Sequence, residues 1–178
     1  AFNWGIFDFD DADFIPRFLE GNMRYEMGGF DGTRMIQFYI ESNRSVWSQE
    51  LELTPAQKRE LLDFARWNER EENRYYRYDY FLDNCSTRVR DALDRVLGGI
   101  LRRSLDTIPT GTTSRWHDRR LTLRAPLQYT GMDIVLGQPG DRTLTAWEEG
   151  FLPVRLQEHI RGVRVPGAPQ IEYLVSMC

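Results

Sequence analysis

The chain has 178 residues, 13% of them aromatic and 28% charged, which suits one globular domain with a substantial core and excludes a disordered chain. A net charge of -4 argues against nonspecific nucleic-acid binding. No apolar run approaches the ~18 residues of a membrane-spanning helix, and no secretory signal pattern is read within the sequence.

Ala1-Phe2-Asn3-Trp4-Gly5-Ile6-Phe7 reads as a strand from its first residue, so processing from a longer precursor is expected. Asp8-Phe9-Asp10-Asp11-Ala12-Asp13 follows. It lacks the glycine and distal glutamate of an EF-hand loop. It is therefore read as a solvated turn capping a short helix over 14–20, not as a metal site. A short strand is expected over 25–27. Ile36, Phe38 and Ile40 alternate with Met35, Gln37 and Tyr39, and Trp47, Gln49, Leu51 and Leu53 alternate with Ser48, Glu50 and Glu52. With Ser42-Asn43-Arg44 between them, an antiparallel hairpin is predicted.

Thr54-Pro55-Ala56-Gln57 opens a helix, with threonine as cap, proline in the first turn and glutamine three residues on. It is expected to fade near Glu72. Residues 73–80 carry four tyrosines, Tyr75, Tyr76, Tyr78 and Tyr80, read chiefly as packing of a half-buried strand and otherwise as groove lining.

That strand-like run ends at Asp83 and Asn84, and an amphipathic helix begins at Cys85. Val89, Ala92, Leu93, Val96 and Leu97 form one apolar face, with Arg88, Arg90, Asp91, Asp94 and Arg95 on the surface. Asn84 is the N-cap and Gly98-Gly99 the stop. A cysteine in a helix's first turn sits among unpaired N–H groups at the positive end of the helix dipole, which favours the nucleophilic thiolate. Cys85 is thus the candidate nucleophile. The bland alternatives are a small buried core residue and a disulfide to Cys178, the only other cysteine.

Beyond Gly99 the pattern loosens. Residues 102–124 read as a basic loop that could meet phosphate-bearing headgroups or simply be solvated. Gly137-Gln138-Pro139-Gly140 is a turn signal and no phosphate loop, and no cofactor motif is read. Thr145-Ala146-Trp147-Glu148 is a capping box, Leu156 and Ile160 continue an apolar stripe, and a final strand is expected over 171–175. No repeat or second domain is read.

These pieces together resemble the Lnb N-terminal periplasmic domain family. Asn3-Trp4-Gly5-Ile6-Phe7-Asp8-Phe9 is similar to that family's Tyr-Gly-x-Phe-Asp-Phe strand. Asp83-Asn84-Cys85-Ser86-Thr87-Arg88 is similar to its Asp-Asn-Cys-Thr-Thr-Arg signature. The helix from Thr54, the Gly131-Met132-Asp133-Ile134-Val135-Leu136-Gly137 run and Phe151-Leu152-Pro153 fall in the expected order.

The resemblance implies an α+β fold: a curved antiparallel sheet with helices packed on one side, in a permuted papain-like (NlpC-like) architecture. It also implies a periplasmic or extracytoplasmic location within a membrane-associated protein, and cysteine-dependent acyl transfer. Cys85 takes the nucleophile's position. The family's histidine precedes the first strand and has no counterpart here, so the site is expected to lack its base. Of the two histidines present, His117 is the candidate base and His159 reads as a helix-surface residue. Asn84 is the expected cap and loop organiser, and Asn3 the group that orients the missing histidine.

Two functions follow. One is a cysteine acyltransferase or hydrolase acting on a lipid-modified protein or an envelope peptide, without cofactor. The other is a non-catalytic periplasmic module that holds a peptide, glycan or lipoprotein tail, with Cys85 structural.

Overall fold

The computed structural model describes residues 1–7 and 23–164. The acidic cluster, the helix over 14–20, Cys178 with its potential disulfide, and the strand over 171–175 lie outside the described residues.

Strand β1 (Phe2–Ile6) pairs antiparallel with β2 (Arg24–Gly29), which pairs on its other side with β3 (Tyr75–Arg77). The β1–β2 register breaks between Asn3 and Ile6. In place of the single curved sheet that the resemblance implied, the described residues form two small antiparallel sheets, the second made by β4 (Pro109–Thr113) and β5 (Thr143–Thr145).

The predicted hairpin does not form. Residues 32–41 make helix α1 (Gly32–Glu41), capped by Asp31, whose Oδ1 accepts from the Arg34 N–H at 2.9 Å. Five of the six residues over 35–40 are apolar or aromatic, so the run suits either period, and the cap decides. Residues 45–53 stay unpaired in no regular element. Leu51 rests on a hydrophobic core all the same.

Helix α2 (Pro55–Glu69) starts with the predicted Thr54–Gln57 capping box and ends before Glu72. Helix α3 (Cys85–Val96) has Asn84 as its cap, and Gly98 and Gly99 end it with positive φ values of 65° and 79° that glycine alone adopts readily. Of the arginines assigned to its surface, Arg90 is buried. It donates to the Trp147 carbonyl at 2.9 Å, and its guanidinium lies 3.9 Å over the Trp147 ring.

Residues 102–124 are not a loop. They form the end of α4 (Ile100–Leu105), then β4, then α5 (Ser114–Thr122), which is capped by Thr113. Helix α6 (Pro126–Val135) packs on α5, and the turn signal at Gly137 leads into a 3-10 turn, Gln138–Asp141. Helix α7 (Ala146–Glu149) begins at the predicted capping box and α8 (Pro153–Arg161) buries Leu156 and Ile160 as read.

Two cores result. Trp4, Met27, Ala65 and Tyr76 join β1–β3 to α2; Leu93, Leu101, Leu105, Ala146, Trp147, Leu156, Ile160 and Val163 join α3, α4, α7 and α8. Helix α3 spans both: Cys85 touches the first and Leu93 belongs to the second.

Candidate active site

Asn84 fixes the start of α3. Its Oδ1 accepts from the Ser86 and Thr87 N–H groups at 2.8 and 2.9 Å, and the Thr87 hydroxyl accepts from the Asn84 N–H at 2.7 Å. Its amide donates to the Tyr80 carbonyl at 2.8 Å and the Phe151 carbonyl at 2.9 Å. The Ser86 hydroxyl adds a 2.7 Å bond to the Gly150 carbonyl. One cap residue thus orders the helix, the preceding turn and the segment from Gly150 to Phe151. The run before it is a turn and not the expected strand, since Asp79 Oδ1 accepts from both Phe81 and Leu82 N–H, and Asp79 and Asp83 pair across it.

Cys85 is a free thiol and only partly exposed. β1 runs against it. An added Cβ at Gly5 would lie 3.4 Å from Cys85 Cβ, an ordinary contact, and 3.3 Å from Asn3 Oδ1, which would have to yield by a few tenths of an ångström. Asn3 Oδ1 accepts from the Gly5 N–H at 2.8 Å, which pins the irregular stretch of β1 beside the cysteine.

The electrostatics differ from the expected poise. Burial pushes the Cys85 thiol up, and the backbone N–H groups of Ser86 and Cys85, which favour the thiolate, offset only part of that. Burial together with the neighbouring Cys85 also pushes Tyr25 and Tyr76 up; for Tyr78, burial comes first, then Tyr25, then Cys85. Of the four tyrosines read as strand packing, Tyr76 and Tyr78 pack on the core, whereas Tyr75 and Tyr80 are exposed. Tyr76 is buried with its hydroxyl on the Trp4 carbonyl, and Tyr25 stacks on Tyr78 with centroids 4.1 Å apart.

Cys85 opens into a cleft of about 470 Å³. Trp47, Leu51, Val89, Leu93, Val154 and Ile160 line it, with Asn3, Gln49, Ser86 and Gln157 as polar groups. Most of the wall is hydrocarbon, as in small-molecule sites. The unpaired segment over 45–53 supplies one side, a contribution that a hairpin reading hides.

The histidines lie elsewhere. His117 is fully buried, with Nε2 2.7 Å from Glu149 Oε1 and 3.1 Å from the Thr112 hydroxyl. His159 is not a free surface residue, because its Nε2 lies 2.6 Å from Glu149 Oε2. Burial favours the uncharged Glu149, but hydrogen bonds from Thr112, His159 and His117 outweigh it and hold the carboxyl below its ordinary range. Burial lowers His117 against the pull of Glu149. A neutral His117 facing an ionised Glu149 carries its proton on Nε2, which leaves Nδ1 buried without a partner. The chain links this cluster to the cysteine, since Gly150 and Phe151 follow Glu149 directly and bond to Ser86 and Asn84. Glu149 has no periodic signal in the sequence; nothing local announces it. Among the described residues no group of His, Cys, Asp and Glu is arranged to hold a metal ion.

The model of the Lnb N-terminal periplasmic domain matches residues 3–121, well over half of the chain and including Asn3, Asn84, Cys85 and His117. The chain belongs to the Lnb N-terminal periplasmic domain family. Its location is therefore periplasmic. No curated protein matches it, and no solved structure does. Glu149 and His159 lie beyond the matched residues. Among the described residues no helix is long and apolar enough to cross a membrane.

Proposed function

We propose that this domain carries out cysteine-dependent acyl transfer or hydrolysis in the cell envelope, on a permuted papain-like plan, with Cys85 as nucleophile. The observation that carries the reading is the Cys85 thiol at the first residue of α3, beside the N–H groups of Cys85 and Ser86, at the wall of an apolar cleft. Once deprotonated, the sulfur attacks a carbonyl carbon and the new oxyanion is stabilised by those N–H groups. The leaving group departs with a proton, an acyl-enzyme remains, and an amine or water then takes the acyl group. The cleft suits an apolar portion of a lipid-modified protein or envelope peptide.

Because burial raises the thiol, the reaction depends on a base brought to the sulfur. Among the described residues His117 and His159 are both engaged with Glu149. The reading takes its base from the family's histidine strand, with Asn3 to orient it. His117 is the alternative base, and reaches the sulfur only by leaving Glu149.

Intact-mass analysis of these residues joined to the family's histidine strand, after incubation with an activated acyl thioester, tests this. The expected result is one acyl adduct that maps to Cys85 and disappears in Cys85→Ser. Absence of that adduct while the thiol still reacts with iodoacetamide would refute the nucleophile assignment. The raised thiol favours a second reading, a recognition module using the same cleft. In that case a fluorescent lipopeptide binds wild type and Cys85→Ser equally, and no adduct forms.

A further inference from the structure

The exposed face of α6 and the bend that joins it to α5 are apolar where a water-facing helix normally carries charge. Leu123 at the bend is 71% exposed, Leu127 91% and Ile134 75%. Leu127, Thr130, Gly131 and Ile134 fall at i, i+3, i+4 and i+7, so they share one face of α6, and each is exposed. That face has no charged residue. The one charged side chain of α6, Asp133, is turned to α5, where Arg115 and Arg119 bind it at 2.8 and 2.9 Å and hold its carboxyl down to about 2.

Cations flank this patch. Arg120 and Arg124 are exposed and form no ion pair among the described residues, and the Arg120 guanidinium lies 5.5 Å over the half-exposed Trp116 ring. Protruding aliphatic side chains, a tryptophan and unpaired arginines together match the interface of a bilayer. There the aliphatics enter the acyl boundary, and the aromatic and guanidinium groups sit at the headgroups.

We propose that the α5–α6 hairpin is a docking surface for an anionic phospholipid bilayer. The chemistry at Cys85 has no part in this argument. Co-sedimentation of the whole chain with phosphatidylglycerol-containing vesicles tests it, with pure phosphatidylcholine vesicles as the comparison. Binding should be strong on the anionic vesicles and fall on the order of tenfold on the neutral ones or at high salt. Arg120→Gln with Arg124→Gln should reduce anionic binding to the neutral level. Leu123→Ser with Leu127→Ser should remove most binding to both, while the urea midpoint stays unchanged because both side chains are exposed. Failure to bind anionic vesicles, or binding indifferent to these variants, overturns the proposal. So does lipid-free self-association that Leu127→Ser abolishes, which would assign the patch to a second copy of the chain.

Discussion

Asn84 and Glu149 each gather several partners, but from different distances along the chain. Three of the bonds to Asn84's side chain lie two to four residues away, and only the Phe151 carbonyl is remote. Glu149 draws on Thr112, His117 and His159, separated from it by 37, 32 and 10 residues. The first arrangement is a helix cap that forms with its own turn. The second exists only after α5, α7 and α8 have packed. The cysteine sits on the locally specified element, and the histidines sit in the cluster assembled by folding.

Removing Glu149 should produce the largest effect. Glu149→Ala leaves the Thr112 hydroxyl and the buried, neutral His117 beside a void without their hydrogen-bond acceptor, and a loss of about 3 kcal/mol is expected in urea denaturation. Glu149→Gln should lose less, because a hydrogen-bond acceptor remains. A loss under ~1 kcal/mol for alanine would mean that the cluster contributes little to the fold.

Asn84→Ala should cost about 2 kcal/mol, the upper end for a helix cap, since the two amide donations go with it. Asn84→Asp separates the parts. It keeps the acceptor for Ser86 and Thr87 and removes the donors to Tyr80 and Phe151. Equal losses in the two variants would show that the amide donations to Tyr80 and Phe151, and not the cap, dominate.

Acid should weaken the cluster in a defined direction. His117 is lowered in the fold, so as pH falls through its ordinary value of 6.5 the unfolded chain takes up a proton that the folded chain does not. Stability is therefore complete above that value and declines below it. Glu149 is also lowered, so its contribution declines as pH falls through 4.5 and on toward its folded value. Urea midpoints measured across this range should fall on acidification, and His117→Gln should flatten the upper part of the decline. A midpoint that rises on acidification would reverse the assignment of charge states.

The smallest effect concerns the long-range contact at the cysteine's own end of the comparison. Gly5→Ala places a methyl group against Cys85 and Asn3, with an expected loss of about 1 kcal/mol and slower alkylation of Cys85. In a Cys178→Ser background, wild-type alkylation should need a higher pH than an ordinary thiol, because burial raises Cys85. Labelling at a lower pH than an ordinary thiol would show that the helix-end N–H groups prevail after all.

Much of the site was legible for a physical reason. Caps at Thr54, Asn84 and Thr145 are short-range hydrogen bonds, so the residues that make them stand together in the sequence. The apolar spacing of α3 and α8 survives because both bury one stripe. The alternation over 35–40 misled because its residues are nearly all apolar, so it marks no single face. Arg90 was read as solvated from its charge, yet the Trp147 ring and carbonyl give its guanidinium a buried partner. The Thr113 cap of α5 was available in the sequence but was obscured by the surrounding arginines.

By itself the sequence determined where Cys85 stands: first residue of a capped helix, in a chain bearing the family's motifs. Tertiary structure alone decided the rest of its environment. It brought β1 at Gly5 close to Cys85, closed an apolar cleft with the irregular segment over 45–53, and tied both histidines to Glu149. Those outcomes depend on burial and on contacts between distant residues, and burial is what shifts a thiol, an imidazole or a carboxylate away from its ordinary behaviour.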